Sequence, residues 1–322
     1  VSAVRVLVTG AAGFVGCHLS RLLLADRCEV WGTVLHGQRA PAGLGAVRWL
    51  EMDLSSRDSV AAAVAEARPE RVFHLAAQAS VGTSLADPLG TWEVNATGTL
   101  RLMNALPEDA RLVFVSSAEV YGIVPEDEQP IGEGRPLHPT NPYAASKAAA
   151  EMAVMEAAHT RGVQAVIARS FNHTGPGQDA RFALPAWARQ LAAVRAGLRE
   201  PALRVGNLGA RRDYLDVRDV VRAYVELVTT GTPGQAYNVC SGRAWSMKEM
   251  LDELIDVSGT GARVEVDPSL VRPLDVPLLR GDPSAIHALG WTPGVSLRQT
   301  LADLLEHEAH RLAAEHAAAG AA

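Results

Sequence analysis

Apolar positions alternate between two textures along this chain. Short runs rich in β-branched residues read as strands: Val4 to Val8, Glu29 to Val34, Ala46 to Glu51, Arg71 to Leu75, Arg111 to Val115 and Gln164 to Arg169. Between them the apolar residues recur three and four apart, the spacing of a helix with one buried face. Such alternation predicts a parallel, doubly wound α/β sheet with helices on both faces. After Asn172 the pattern loosens and gains Gly, Pro and Arg, then returns to strand near Asp213 to Val217 and Ala236 to Cys240. The expected organisation is a large sheet domain over 1–170, with a return at about 213–240, and a smaller interleaved α/β domain over 171–212 and 241–308. Glu93 to Ala105 and Tyr143 to His159 read as long helices, while the Ala-rich tail at 309–322 is expected to fray from Ala313 onward.

Ligands of a doubly wound sheet gather at the carboxyl ends of its strands. Those ends carry Gly10, Asp53, Ala76-Ala77-Gln78, Ser116-Ser117 and Phe171-Asn172-His173, so the candidate chemistry converges on one edge. At the first end, Thr9 to Gly16 places Gly10, Gly13 and Gly16 in the spacing G-x-x-G-x-x-G between a strand and the helical pattern Leu19, Leu22, Leu23. Glycines there let the backbone approach a pyrophosphate at the positive end of a helix. The end of the second strand reads Val34-Leu35-His36, without the Asp or Glu that would bond ribose hydroxyls, and Arg39 follows. That combination favours NADP(H), with NAD(H) possible and Arg39 alternatively a solvated loop residue. Asp53 either accepts from the adenine amino group or is an ordinary strand-end turn residue.

Tyr143 and Lys147 supply the reactive pair. Positions i and i+4 share a helix face, so a Lys147 ammonium beside the Tyr143 phenol would favour the phenolate, and such a tyrosine can exchange a proton with a carbinol or ketone. By itself that spacing arises by chance in many amphipathic helices; the glycine turn upstream gives it weight.

Composition narrows the field. The 322 residues, 48% hydrophobic and 20% charged, suit a globular enzyme with a sizeable core. A net charge of −6 with scattered arginines argues against a nucleic-acid partner. Three cysteines, Cys17, Cys28 and Cys240, lack metal spacing, so no metal site is expected and a reducing cytoplasm fits. No signal peptide or membrane span is read from the chain.

The stretches Thr9 to Gly16, Leu75-Ala76-Ala77-Gln78, Asn95-Ala96-Thr97-Gly98-Thr99, Ser116 to Gly122 and Tyr143 to Lys147 together resemble the extended short-chain dehydrogenase/reductase family, with a Rossmann sheet, over residues 4 to 308. Arg169 to Gln178 and Arg211 to Asp219 further resemble its members that act on GDP-linked sugars, both reductases of a 4-keto-6-deoxy sugar and GDP-mannose 4,6-dehydratases. The resemblance implies Ser117, Glu119, Tyr143 and Lys147 as catalytic residues. It implies cofactor contacts from Gly10, Gly13, Phe14, Val15, Gly16, His36, Arg39, Asp53, Leu54, Leu75, Ala76, Ala77, Gln78, Tyr143 and Lys147. Ser84, Asn172, Arg212 and Arg272 are implied for substrate, the two arginines as a pyrophosphate clamp; a structural alternative for Arg212 is pairing with Asp213 or Asp216. The implied reaction is reduction of the C4 ketone of a GDP-6-deoxy-4-keto-hexose to GDP-D-rhamnose, with a dehydratase cycle as the alternative and a non-catalytic NADP(H)-sensing protein more remote. Dehydratases of the dTDP-glucose type place Asp beside the Glu, where this chain has Ala118. In that family the equivalents of the two long helices pair across a two-fold axis, so the resemblance implies a homodimer, with a tetramer left open.

Overall fold

The computed structural model describes residues 3–270 and 276–320. Its strands are β1 (Arg5–Thr9), β2 (Glu29–Val34), β3 (Arg48–Glu51), β4 (Arg71–His74), β5 (Arg111–Ser117), β6 (Gln164–Ser170), β7 (Asn172–Thr174), β8 (Ala202–Val205), β9 (Arg211–Asp216), β10 (Ala236–Val239), β11 (Ala244–Ser246), β12 (Arg263–Val266) and β13 (Leu278–Leu279). The helices are α1 (Phe14–Ala25), α2 (Arg57–Ala67), α3 (Val81–Ala86), α4 (Pro88–Trp92), α5 (Gly98–Ala105), α6 (Pro142–Arg161), α7 (Ala183–Arg195), α8 (Val217–Thr230), α9 (Met247–Ser258), α10 (Ser284–His287) and α11 (Leu297–Gly320).

Seven strands form one sheet in the order β10-β6-β5-β4-β1-β2-β3, every pair parallel. The order reverses beside β1, which puts the crevice for a ligand at the carboxyl ends of β1 and β4. Val6, Leu7 and Val8 of β1 are fully buried because helices cover both sheet faces. One face packs Val6, Val8 and Val113 against Leu19 and Leu23 of α1 and Val220 and Leu227 of α8. The other packs Leu7, Leu112, Phe114 and Ile167 against Val60 and Val64 of α2, Leu102 of α5 and Val154 of α6.

The smaller part has its own core, where Leu184, Leu191 and Trp187 of α7 meet Leu251 of α9 and Leu301 and Leu304 of α11. The expected return to the large sheet is corrected at its start only. β9 pairs with β7, β11 and β13 in a separate four-stranded sheet, and the chain rejoins the large sheet only through α8 and β10. Alternating buried and half-buried residues in β9 mark a strand covered less completely than those of the large sheet. The tail is also corrected. α11 continues to Gly320, since alanine is the best helix former and Glu315 pairs with Arg189 of α7 at 2.6 Å. The helix expected at Glu93 to Ala105 begins earlier, at Pro88, and contains a wide π-turn at Glu93–Thr97 between α4 and α5.

Candidate active site

The glycine turn lies between β1 and α1. Gly10 has φ +68°, and a Cβ on it would meet the Ala76 backbone at 3.0 Å. A Cβ on Gly16 would fall 2.4 Å from the Gly10 carbonyl oxygen, so the turn packs against its helix only with glycine there. Gly13 is the α1 N-cap and supplies no side-chain cap, leaving the leading N–H groups at Phe14, Val15 and Gly16 to an anion. Gly10 N–H donates to Thr33 Oγ1 of β2 at 3.1 Å, which pins the turn to its neighbour strand. These features fit a dinucleotide pyrophosphate.

Leu75 to Gln78 leave β4 alongside this turn. Ala76 N–H donates to Thr9 Oγ1 at 3.0 Å, and Gln78 N–H donates to Asn95 Oδ1 at 2.8 Å. Asp53, exposed just beyond β3, accepts from the Ser55 N–H at 2.9 Å and hydroxyl at 2.6 Å, the geometry of a strand-end turn residue; these bonds hold its carboxyl below the usual range. Leu54 is buried, and its carbonyl accepts from Arg101 at 3.1 Å. His36 and Arg39 are exposed past β2. The expectation that no carboxylate stands at this corner is corrected, because β2–β3 pairing sets Glu51 beside Val34, with Glu51 Oε2 2.7 Å from His36 Nδ1. Residues far apart in sequence meet there through strand register, which no local spacing reveals.

The reactive side chains sit where β5 ends and α6 begins. β5 runs two residues further than its apolar pattern suggested, to Ser117, whose hydroxyl accepts from Glu119 N–H at 3.2 Å and starts a tight turn over Ala118–Tyr121. Asn141 caps α6 by accepting from Ala144 N–H at 2.8 Å and donates to Glu119 Oε2 at 3.2 Å, so the turn and the helix are tied at their start. Tyr143 is half-buried with its phenol facing the Ser117 hydroxyl; burial, reinforced by the Glu119 charge and opposed by Ser117, pushes its pKa up to about 12. Burial brings Lys147 down to about 8, opposed by Glu151. The Lys147 ammonium donates to the Val115 carbonyl at 2.8 Å and lies 4.9 Å from the Phe114 ring centroid. The expected phenolate-favouring contact is thereby corrected: burial holds Tyr143 as the neutral phenol, and the ammonium is turned to the strand.

Two buried networks support this pair, and neither was anticipated as such. In the first, Thr99 Oγ1 donates to Asn95 O at 2.6 Å, so its contact with His74 Nε2 at 3.0 Å makes His74 the donor there. His74 Nδ1 then accepts from Thr9 Oγ1 at 2.8 Å, and burial holds the ring neutral with its pKa down at about 3. Asn95 Nδ2 continues to Ser146 Oγ at 2.9 Å, and Ser146 donates to the Tyr143 carbonyl at 2.8 Å. In the second, Glu151, two turns beyond Tyr143, takes Arg169 through bonds of 2.8 to 3.2 Å, and Arg169 donates to Tyr121 Oη at 2.9 Å. The signals were present: His74 directly precedes the Leu75-Ala76-Ala77 stretch, and Glu151 lies on the Tyr143–Lys147 face.

Asn172 and Arg212 fall on paired strands of the small sheet, and Ser84 lies apart from them. Asn172 opens β7 beside Tyr214 of β9. Arg212 donates to the carbonyls of Arg211 and Val276, while Asp216 is held by Arg218 at 2.8 Å. Arg272 lies outside the described residues. Ser84 is not brought to the crevice: it is fully buried, and its hydroxyl donates to Val81 O at 2.7 Å. Among the described residues, no group of His, Cys, Asp and Glu side chains is placed to hold a metal, and no helix is long and apolar enough to cross a membrane.

Comparisons with known proteins agree with this fold. Residues 7–304 match the family model described as GDP-mannose 4,6 dehydratase. The GDP-6-deoxy-D-mannose reductase of Pseudomonas aeruginosa is 36% identical over 309 residues, covering 94% of this chain and 96% of the relative. A GDP-mannose 4,6-dehydratase from Vibrio cholerae is 30% identical, covering 97% and 95%. Among solved structures, RMD from Pseudomonas aeruginosa complexed with NADPH superposes with a TM-score of 0.83 at 35% identity, covering 95% of this chain and 99% of the other. The UDP-glucose 4-epimerase of Thermus thermophilus in complex with NAD gives a TM-score of 0.82 at 34% identity, covering 94% and 98%. The chain therefore belongs to the GDP-mannose 4,6-dehydratase family of extended short-chain dehydrogenase/reductases.

Proposed function

We propose that this protein reduces the C4 ketone of a GDP-linked 6-deoxy-4-keto-hexose to GDP-D-rhamnose, with NADPH or NADH as donor. The observation that carries the reading is the neutral, half-buried Tyr143 facing Ser117 at the carboxyl edge of the sheet. The Gly10–Gly16 turn would hold the pyrophosphate of a dinucleotide, whose reduced nicotinamide would supply the hydride. Tyr143 gives its proton to the oxygen at C4 as the alkoxide forms, so hydride and proton together complete the alcohol. Ser117 donates to the same oxygen, a preorganised stabilisation of developing charge, and Lys147, held at the end of β5 by the Val115 carbonyl, is proposed to bind the nicotinamide ribose. Asn172, Arg212 and Arg272 are proposed to hold the GDP portion, since guanidinium forks suit diphosphate oxygens.

Ala118 argues against a dehydratase of the dTDP-glucose type, which places an acid beside the Glu to help water leave, but GDP-mannose dehydratases also lack that acid. The family match and Glu119, oriented by Asn141, favour a second reading, a GDP-mannose 4,6-dehydratase in which Glu119 takes the C5 proton. Isotope placement separates the two. With a keto sugar and a deuterated dinucleotide, the reductase delivers deuterium to C4; GDP-mannose deuterated at C4 stays unchanged with a reductase and gives a keto product labelled at C6 with a dehydratase. The second outcome would replace the first reading. A homodimer is proposed as the working assembly.

A further inference from the structure

The corner beyond β2 and β3 holds a side-chain pair with a specific chemical use. Val34 and Glu51 are register partners at the carboxyl ends of these strands. His36, two residues past Val34, places Nδ1 2.7 Å from Glu51 Oε2, and the Gly37 backbone also bonds this carboxylate. Both side chains are open to a ligand, His36 being 94% and Glu51 59% exposed. The corner is one strand away from the glycine turn, which is itself bonded to β2 through Thr33. With a pyrophosphate on that turn, the adenosine ribose of a dinucleotide comes over the end of the next strand, where a carboxylate suits a 2′-hydroxyl and a cation suits a 2′-phosphate. β2 ends without an acid, and the carboxylate delivered to its end is Glu51, from β3.

We propose that Glu51, steered by His36, is the residue with which this chain discriminates a ribose 2′-hydroxyl from a 2′-phosphate, Arg39 on the same loop opposing it. The inference rests on the dinucleotide reading above. A Glu51 carboxylate accepts from ribose hydroxyls and repels a phosphate. Protonated His36 neutralises the pair and offers a second N–H; neutral His36 leaves one net negative charge at the rim. Glu51 is the charged group facing His36, from the neighbouring strand, while Arg39 is the cation of its own loop. The hydrogen bond to Glu51, and then its charge, raises His36 above the ordinary imidazole value, so the pair stays neutralised to higher pH than a free imidazole would allow. The pair therefore makes the preference for the phosphorylated dinucleotide fall as pH rises.

Dissociation constants for NADPH and NADH, read from cofactor fluorescence without turnover, test this in wild type, Glu51→Gln and His36→Gln. Both sites are on the surface, so the variants keep the fold. Glu51→Gln is expected to raise the NADPH-over-NADH affinity ratio about tenfold at about pH 8, the worth of roughly 1.4 kcal/mol. In wild type the ratio is expected to fall from about pH 6 to about pH 8.5, and less so in His36→Gln; the 2′-phosphate's own proton, with a pKa of about 6, is common to both proteins and cancels. A ratio that moves less than about threefold in Glu51→Gln, with wild type binding both dinucleotides, overturns the assignment of Glu51. Equal pH dependence in wild type and His36→Gln overturns the steering by His36. Failure of wild type to bind either dinucleotide would instead remove the dinucleotide reading and this inference with it.

Discussion

At the scale of the residue, burial drives Tyr143 and Lys147 toward their neutral forms, with consequences of opposite sign for activity and stability. Tyr143, at about 12, remains an acid throughout the working range, and Tyr143→Phe should lower kcat by about two to four powers of ten with dinucleotide affinity kept. Lys147 carries its charge below about 8 and loses it above, so kcat should decline as pH rises through that value. Stability should move the other way. Between about 8 and 10, Lys147 is deprotonated in the folded protein but protonated when unfolded, where its value is 10.5; the unfolded state then binds more protons, and stability rises with pH. Above 10 the raised Tyr143 reverses the trend, because the unfolded phenol ionises first. Denaturant midpoints at about pH 7.5 and about pH 9.5 check this: the change with pH should be more favourable in wild type than in Lys147→Met, because the thiols of Cys17, Cys28 and Cys240, pushed up by burial, oppose the rise equally in both proteins. These residues were legible in sequence because a helix fixes which positions share a face. Their ionisation was not, because it depends on Val115, Phe114 and Glu119, which tertiary packing supplies.

At the scale of the element, most strands were legible from apolar runs, because a strand buried on both faces has to be apolar throughout; β2 matches its expected limits, Glu29–Val34. The ends of β5 and β6 were not, since Ser116, Ser117 and Ser170 are polar residues held in register by pairing rather than by burial of apolar side chains. β9 misled for a related reason: its pattern shows that it is a strand but not which sheet it joins. The turn between β1 and α1 depends on close approach, and Gly16→Ala forces a Cβ into the Gly10 carbonyl. Dinucleotide affinity should fall at least about tenfold in that variant, as measured by fluorescence titration. The polar chain from Thr9 to Ser146 joins β1, β4, the π-turn and α6. Thr99→Val, close in shape, strands the His74 N–H, and should cost about 1–3 kcal/mol in denaturant unfolding.

At the scale of the molecule, Leu89 (84% exposed), Trp92 (46%) and Met152 (50%) lie on the neighbouring helices α4 and α6, with Leu85, Leu100 and Met155 also exposed on α3, α5 and α6. A patch of this kind marks an interaction surface, and the proposed homodimer would cover it. Leu89→Glu combined with Met152→Glu should shift the protein from dimer to monomer in light scattering; a wild type that is monomeric at working concentration would contradict the assembly. The loosening after Asn172 falls where the chain leaves the large sheet for β7. The route by which α8 and β10 return to the large sheet was not readable in sequence, because that depends on long-range pairing of β10 with β6.

The central claim is net reduction of a keto sugar. Purified protein with GDP-4-keto-6-deoxymannose and NADPH, and a parallel sample with GDP-mannose and NADPH, followed by loss of reduced-nicotinamide absorbance, tests it most directly. The account predicts oxidation stoichiometric with the keto sugar, GDP-D-rhamnose as product, and no oxidation with GDP-mannose. No oxidation with the keto sugar, together with conversion of GDP-mannose to a keto product without net use of cofactor, would contradict it.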